Sequence, residues 1–175
     1  AIKDMAGLLR PRTCYELVKK LKKNLNIPIH LHTHSTTGLS DATNFKAYEA
    51  GIDNIDTSIS SFSNLYAHTA TESFISMMYS EEKNPFDMKL LTKISEYFNE
   101  VRKKYHKYEG SMRGVDVNML TNQVPGGMLS ILEKQLLDLN KVDKFKLLID
   151  EIPKIRKDVG YVPLVTPVSY THLRA

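Results

Sequence analysis

The run Ile29-His30-Leu31-His32-Thr33-His34 constrains this chain more than any other. Ile29, Leu31 and Thr33 alternate with three histidines, and a repeat of two is the signature of a β-strand. On a strand, residues two apart share a face and their Cα atoms lie ~6.5–7 Å apart. His32 and His34 can therefore hold one cation between them, imidazole being the commonest metal ligand. Ser35-Thr36-Thr37-Gly38 is turn chemistry, so the histidines stand at the C-terminal end of a strand, just ahead of a loop. His30 shares their side further in and is expected to be a packed, hydrogen-bonded core histidine. The bland alternative is a half-buried strand with incidental histidines. Against it, the run holds three of the chain's six histidines at alternate positions.

Flanking segments say what kind of sheet this strand joins. Ile2–Met5 reads as a short strand ending at Ala6-Gly7. A helix then starts near Pro11, a residue favoured in the first turn. Tyr15, Leu17, Val18, Leu21 and Leu25 give it an apolar stripe opposite lysines. After the histidine strand, a helix from about Asp41 closes at Gly51, and 52–59 reads as a third strand. Strands alternating with helices over short loops predict parallel pairing. From about Ala70 the periodicity becomes helical throughout, in segments near 70–79, 87–105, 128–139 and 144–159, divided by Asn84-Pro85, Gly110, Gly114 and Pro125-Gly126-Gly127. Three strands cannot close a parallel barrel. The first half is therefore either a small open sheet or the last strands of a barrel.

Composition narrows the classes of function. The 175 residues carry a net charge of +4 with a pI of about 9.0. The basic runs, Lys19-Lys20-Leu21-Lys22-Lys23 and Arg102-Lys103-Lys104, lie on amphipathic helical patterns, which favours solvated helix faces over a nucleic-acid site. A lone cysteine, Cys14, forms no internal disulfide and suits a reducing, cytoplasmic setting. No apolar run approaches the ~18 residues of a membrane span. The chain opens on Ala1 without an initiator methionine, and its natural N-terminus is expected upstream. Taken alone, the segment is expected to be inactive and prone to self-association through the open edge of its first strand.

Five motifs, in order, resemble one family. They are Lys3-Asp4-Met5-Ala6-Gly7, the histidine run through Gly38, Asp56-Thr57-Ser58-Ile59-Ser60-Ser61, Gln123-Val124-Pro125-Gly126-Gly127-Met128, and Leu164-Val165-Thr166-Pro167. Together they resemble the biotin-dependent carboxyltransferases, nearest to the oxaloacetate decarboxylase α subunit and the separate carboxyltransferase subunit of pyruvate carboxylase, with the transcarboxylase 5S subunit as a further member. The resemblance implies an α/β fold: the last three strands of a TIM (β/α)₈ barrel in residues 1–82, an all-helical carboxyltransferase domain in 83–167, and a tail in 168–175 that departs from the family's continuation.

It also implies roles. CO₂ moves between oxaloacetate or pyruvate and biotin, through an enolpyruvate stabilised by a divalent metal (zinc first, then cobalt or manganese). His32 and His34 are metal ligands. Lys3 matches the family's carbamylated lysine, an anionic oxygen ligand where a plain ammonium would repel the metal. Thr166 matches a threonine that relays a proton between substrate and biotin, and Ser169 falls where the family has a biotin-contacting serine. Expected partners are a biotin carrier domain or subunit and further copies of the chain. For decarboxylase members, membrane subunits would hold the enzyme at the inner membrane. His68 could line the mouth of the site or simply face solvent, and Asp4 and Asp56 are expected to orient loops or ligands. Two other readings stay open: a different metal-dependent lyase or aldolase on the same barrel, and a non-catalytic module with a structural metal.

Overall fold

The computed structural model describes residues 1–110, 113–117, 119–122 and 126–161. Three parallel strands, β1 (Ile2–Asp4), β2 (His30–Thr33) and β3 (Asn54–Ile55), lie in sequence order across one sheet. Ile2 pairs with Leu31, Lys3 with His32 and Asp4 with Thr33, while His30 pairs with Asn54 and Leu31 with Ile55. Helix α1 (Pro11–Asn24) links β1 to β2 and α2 (Ser40–Glu49) links β2 to β3.

Both helices cover the same face. Leu31 is fully buried with Cys14 and Val18 of α1 and Ala47 of α2, and Ile2, Leu9, Ile52 and Ile55 pack around them. Burying a leucine this completely contributes ~1.5–3 kcal/mol. Right-handed crossovers between strands in sequence order place both helices on one face, as in a barrel or in one half of a doubly wound sheet. In a barrel the face opposite the helices lines the interior. That face carries the histidines.

The apolar stripe of α1 is narrower than the sequence implies. Cys14 and Val18 are buried, but Tyr15 and Leu25 are exposed, as is Tyr48 of α2. The third strand is also shorter than 52–59. After Ile55 the chain keeps only an isolated bridge, Ser58 to Ala70, and then turns through Ser60–Phe62.

The remaining helices are α3 (Thr71–Met78), α4 (Met88–Lys103), α5 (Met119–Asn122), α6 (Gly126–Asp138) and α7 (Phe145–Asp158). Asp87 caps α4 by accepting from the Leu90 amide at 3.0 Å, and Arg102 and Lys103 sit in its last turn, where the helix dipole favours cations. Arg102 Nη1 donates to the Ser61 carbonyl at 2.6 Å, and the hydroxyls of Ser60 and Ser95 meet at 2.6 Å. These contacts dock α4 on the turn after β3. Further on, the Asp116 amide donates to the Thr36 carbonyl at 2.8 Å, and Met119 is buried against Ala6. No helix among the described residues is long and apolar enough to cross a membrane.

Candidate metal centre

The loops that follow the strands are held tightly. Asp4, at the end of β1, accepts from the Leu8 and Leu9 amides and from the Thr33 hydroxyl, each at 2.9 Å. Gly7 has φ +67°, and a Cβ there would lie 2.5 Å from the His34 carbonyl oxygen. Only glycine lets the β1 loop approach β2 so closely. After β3, Asn64 (φ 64°) and Leu65 (φ 50°) are both left-handed, a costly conformation for a leucine. They close a turn in which the Asn64 amide donates to the His68 carbonyl at 2.7 Å, while the Ser35 amide donates to the Ala67 carbonyl at 2.7 Å. The strained turn thereby folds His68 back onto the end of β2.

Three imidazoles converge there: His32, His34 and His68 offer ligand nitrogens that all lie within 4.8 Å of one another. Each ring is oriented from behind. His32 Nδ1 lies 2.6 Å from Asp56 Oδ2, His34 Nδ1 lies 2.5 Å from the Tyr66 carbonyl, and His68 Nδ1 lies 2.8 Å from the Thr33 carbonyl. Carbonyls and carboxylates only accept, so each Nδ1 carries the proton and donates it. In the neutral rings every Nε2 is then left with a bare lone pair. The Nε2 atoms of His32 and His34 face each other at 3.2 Å. Two lone pairs at that distance repel unless a cation lies between them. Nitrogens bound ~2.0–2.1 Å from one tetrahedral zinc stand ~3.3 Å apart, so the pair has the bite of a metal site.

Electrostatics at His34 agree with a neutral donor. Burial lowers the pKa of His34. The Tyr66 carbonyl opposes that shift, and His68 and His32 nearby add to it. Burial works against the Asp56 carboxylate, but hydrogen bonds from His32 and His30 outweigh it and hold its pKa below the ordinary value.

Two family models match parts of the chain. Residues 1–98 match the family model described as HMGL-like, and residues 119–171 match a conserved carboxylase domain. A pyruvate carboxylase subunit of Methanocaldococcus jannaschii is 46% identical over 170 residues, covering 96% of this chain and 30% of that protein. The chain belongs to the HMGL-like family. A second relative, the methylmalonyl-CoA carboxyltransferase 5S subunit of Propionibacterium freudenreichii, is 42% identical over 97% of this chain and 34% of its own length. The carboxyl transferase domain of Rhizobium etli pyruvate carboxylase, solved with pyruvate, superposes with a TM-score of 0.90 at 30% identity over 96% of this chain and 29% of that one. The chain thus spans about a third of the length of the curated relatives it matches.

The structure treats the expected residues unequally. His32 and His34 are brought together. Lys3 is the register partner of His32, so its side chain leaves the sheet on the same face. Thr166, Ser169 and the stretch 123–125 lie outside the described residues. His30 is hydrogen-bonded as expected, its Nε2 2.7 Å from Asp56 Oδ1, but its side chain is 42% exposed rather than buried in a core. The described residues place no packed layer over the histidine face at that depth. His68 joins the cluster instead of facing solvent. Its only sequence signal is a histidine in the loop after the neighbouring strand, and the turn that carries it inward has no motif.

Proposed function

We propose that this chain is the metal-bearing part of a biotin-dependent carboxyltransferase that moves CO₂ between oxaloacetate or pyruvate and biotin. The observation that carries the reading is the facing pair of Nε2 atoms on His32 and His34, 3.2 Å apart, each ring held by an acceptor at its Nδ1. Names of the relatives supply the reaction class: a subunit of pyruvate carboxylase, and the 5S carboxyltransferase subunit. The conserved carboxylase domain at 119–171 supports this class over other lyases of the HMGL-like fold.

His32 and His34 hold a divalent cation, zinc, cobalt or manganese, with His68 as a third nitrogen facing them. When bound, the metal supplies Lewis-acid stabilisation of negative charge on the substrate's ketone oxygen. Lys3 extends from β1 beside His32 and, once carbamylated, adds an anionic oxygen to the donor set. Thr166 moves a proton between substrate and biotin; a hydroxyl suits this because it both donates and accepts without charge. Ser169 contacts biotin. In this reading residues 1–82 close a TIM barrel, 83–167 form the helical carboxyltransferase domain that brings Thr166 to the site, and 168–175 are a divergent tail. A carrier domain or subunit delivers biotin, the enzyme is a homo-oligomer, and membrane subunits join it in a decarboxylase assembly. The test is the metal content of the full-length protein bearing this segment. The His32→Ala/His34→Ala double variant is expected to lose stoichiometric metal by elemental analysis, and retention of the metal would overturn the assignment.

A further inference from the structure

We infer that Asp56 is a positioning residue of the metal centre: a carboxylate shared by His30 and His32 that locks His32 in its metal-binding tautomer. The inference rests on the metal reading above and adds a residue to it.

Asp56 follows directly on β3. Its amide donates to the Leu31 carbonyl at 3.0 Å, which sets its backbone alongside His32. Its two oxygens are divided between the histidines of one strand face. Oδ1 takes His30 Nε2 at 2.7 Å and Oδ2 takes His32 Nδ1 at 2.6 Å. Neither oxygen points into the group formed by His32, His34 and His68, so Asp56 acts from behind the donors rather than among them. A carboxylate can only accept here, and the proton of His32 must sit on Nδ1, leaving Nε2 bare towards His34. Carboxylates behind metal-binding histidines fix ring orientation and raise ligand basicity, and their loss typically weakens metal binding ~10–100-fold.

His30 has its own part. Asp56 is 38% exposed, so packing alone does not hold its carboxylate. A hydrogen bond from His30 pins the second oxygen and thereby the plane of the first. The alternation His30-Leu31-His32 is what allows one carboxylate to take both rings. A carbonyl behind His32 could supply an acceptor, as Tyr66 and Thr33 do for His34 and His68. The carboxylate adds a negative charge behind a ligand that will face a cation.

The experiment uses the full-length protein bearing this segment, prepared free of metal, with two readouts. Long-range ¹H–¹⁵N NMR reports the tautomers of the histidines, and competition with a chromophoric chelator reports Zn²⁺ affinity. In the unaltered protein His32 should carry its proton on Nδ1. Asp56→Ala should release His32 towards the Nε2–H tautomer, leave His34 and His68 unchanged, and weaken Zn²⁺ binding by about 10–100-fold. Asp56→Asn keeps one acceptor oxygen and should fall between. His30→Ala should preserve the His32 tautomer and weaken Zn²⁺ by less than Asp56→Ala. A lowered melting temperature with unchanged His32 tautomer and unchanged Zn²⁺ affinity would make Asp56 merely structural and overturn the inference. If His32→Ala/His34→Ala leaves Zn²⁺ affinity intact, the metal reading itself fails. The tautomer arm, read without metal, still decides what Asp56 does to His32.

Discussion

Between Ile2 and Met78 the chain buries side chains as different as Leu31, Thr33, Thr36 and Asn44, all essentially without solvent contact. Between Glu81 and Tyr161, Ser95, Met119 and Leu136 are buried among the described residues, while Leu90, Tyr97, Leu137, Leu147 and Ile155 stand in water. The first region spends its interior on polar groups. The Ser35 and Ser40 hydroxyls meet at 2.6 Å, Thr69 donates to Ser40 at 3.1 Å, and Asn44 donates to Thr69 at 3.0 Å. These groups lie beneath the loop that follows His34. The second region is made of amphipathic helices, and its contacts with the first include Arg102 on Ser61, Ser95 on Ser60, Asp116 on Thr36 and Met119 on Ala6. Site geometry is thus a property of the first region, and the second is attached to it.

Thr166→Ala offers the sharpest way to break that contrast, because Thr166 follows the second region in sequence and carries the proposed proton relay. In the full-length protein the variant should fold, keep its metal and lose ~10²–10⁴-fold in CO₂ transfer between oxaloacetate and biotin, the usual contribution of a proton-relay group. Thr166→Ser should be much milder. Near-normal turnover of the alanine variant would confine the chemistry to the first region.

Leucine truncations compare the two regions directly. Leu31→Ala removes a fully buried side chain from between α1 and α2 and should cost ~2–5 kcal/mol in denaturant unfolding. Leu147→Ala, at a position 59% exposed, should stay within ~0.5 kcal/mol. Equal losses would mean that the exposed helix faces are cores in the native protein, and the contrast would collapse.

Gly7→Ala probes how rigidly the site is held. The new Cβ would meet the His34 carbonyl at 2.5 Å in a left-handed conformation, and the expected loss is ~1–3 kcal/mol. It should also weaken metal binding, because His34 must move. A stable variant with unchanged affinity would show a softer loop than the geometry describes.

The smallest effect concerns Cys14. Burial, and then the nearby Asp4 charge, push its thiol up to about 11 from an ordinary 9.0. The folded value lies above the unfolded one, so the neutral thiol's contribution is complete below pH 9.0 and is lost as pH rises towards about 11. At pH 8 a thiol reagent should therefore modify Cys14 only after denaturant is added. Rapid modification of the native protein would show that the α1–α2 interface opens.

Local order accounts for what could be read without a fold. Alternation placed His30, His32 and His34 on one face because side chains on a strand alternate whatever surrounds it. The rhythm of strands and helices predicted parallel pairing, and helical periodicity from about 87 located α4, because crossovers and helical repeats are short-range devices. Long-range placement was not legible. Nothing in Ser63-Asn64-Leu65-Tyr66-Ala67-His68 announces two left-handed residues that turn His68 onto β2. Asp56 meets His32 only because β2 and β3 pair in one register, and a slip of one residue would turn it to the other face. The exposure of Tyr15, Leu25 and Tyr48 was hidden for the same reason: a helix's apolar stripe records which residues could be buried, and only the neighbours decide which are. The sequence by itself determined the chemistry of the donors and the strand that carries them, since both depend on residues a few positions apart. The third histidine, the carboxylate behind the second and the bare inner face of the sheet were decided by tertiary contacts between residues twenty-four or more positions apart, which strand pairing and loop closure bring together and no local pattern encodes.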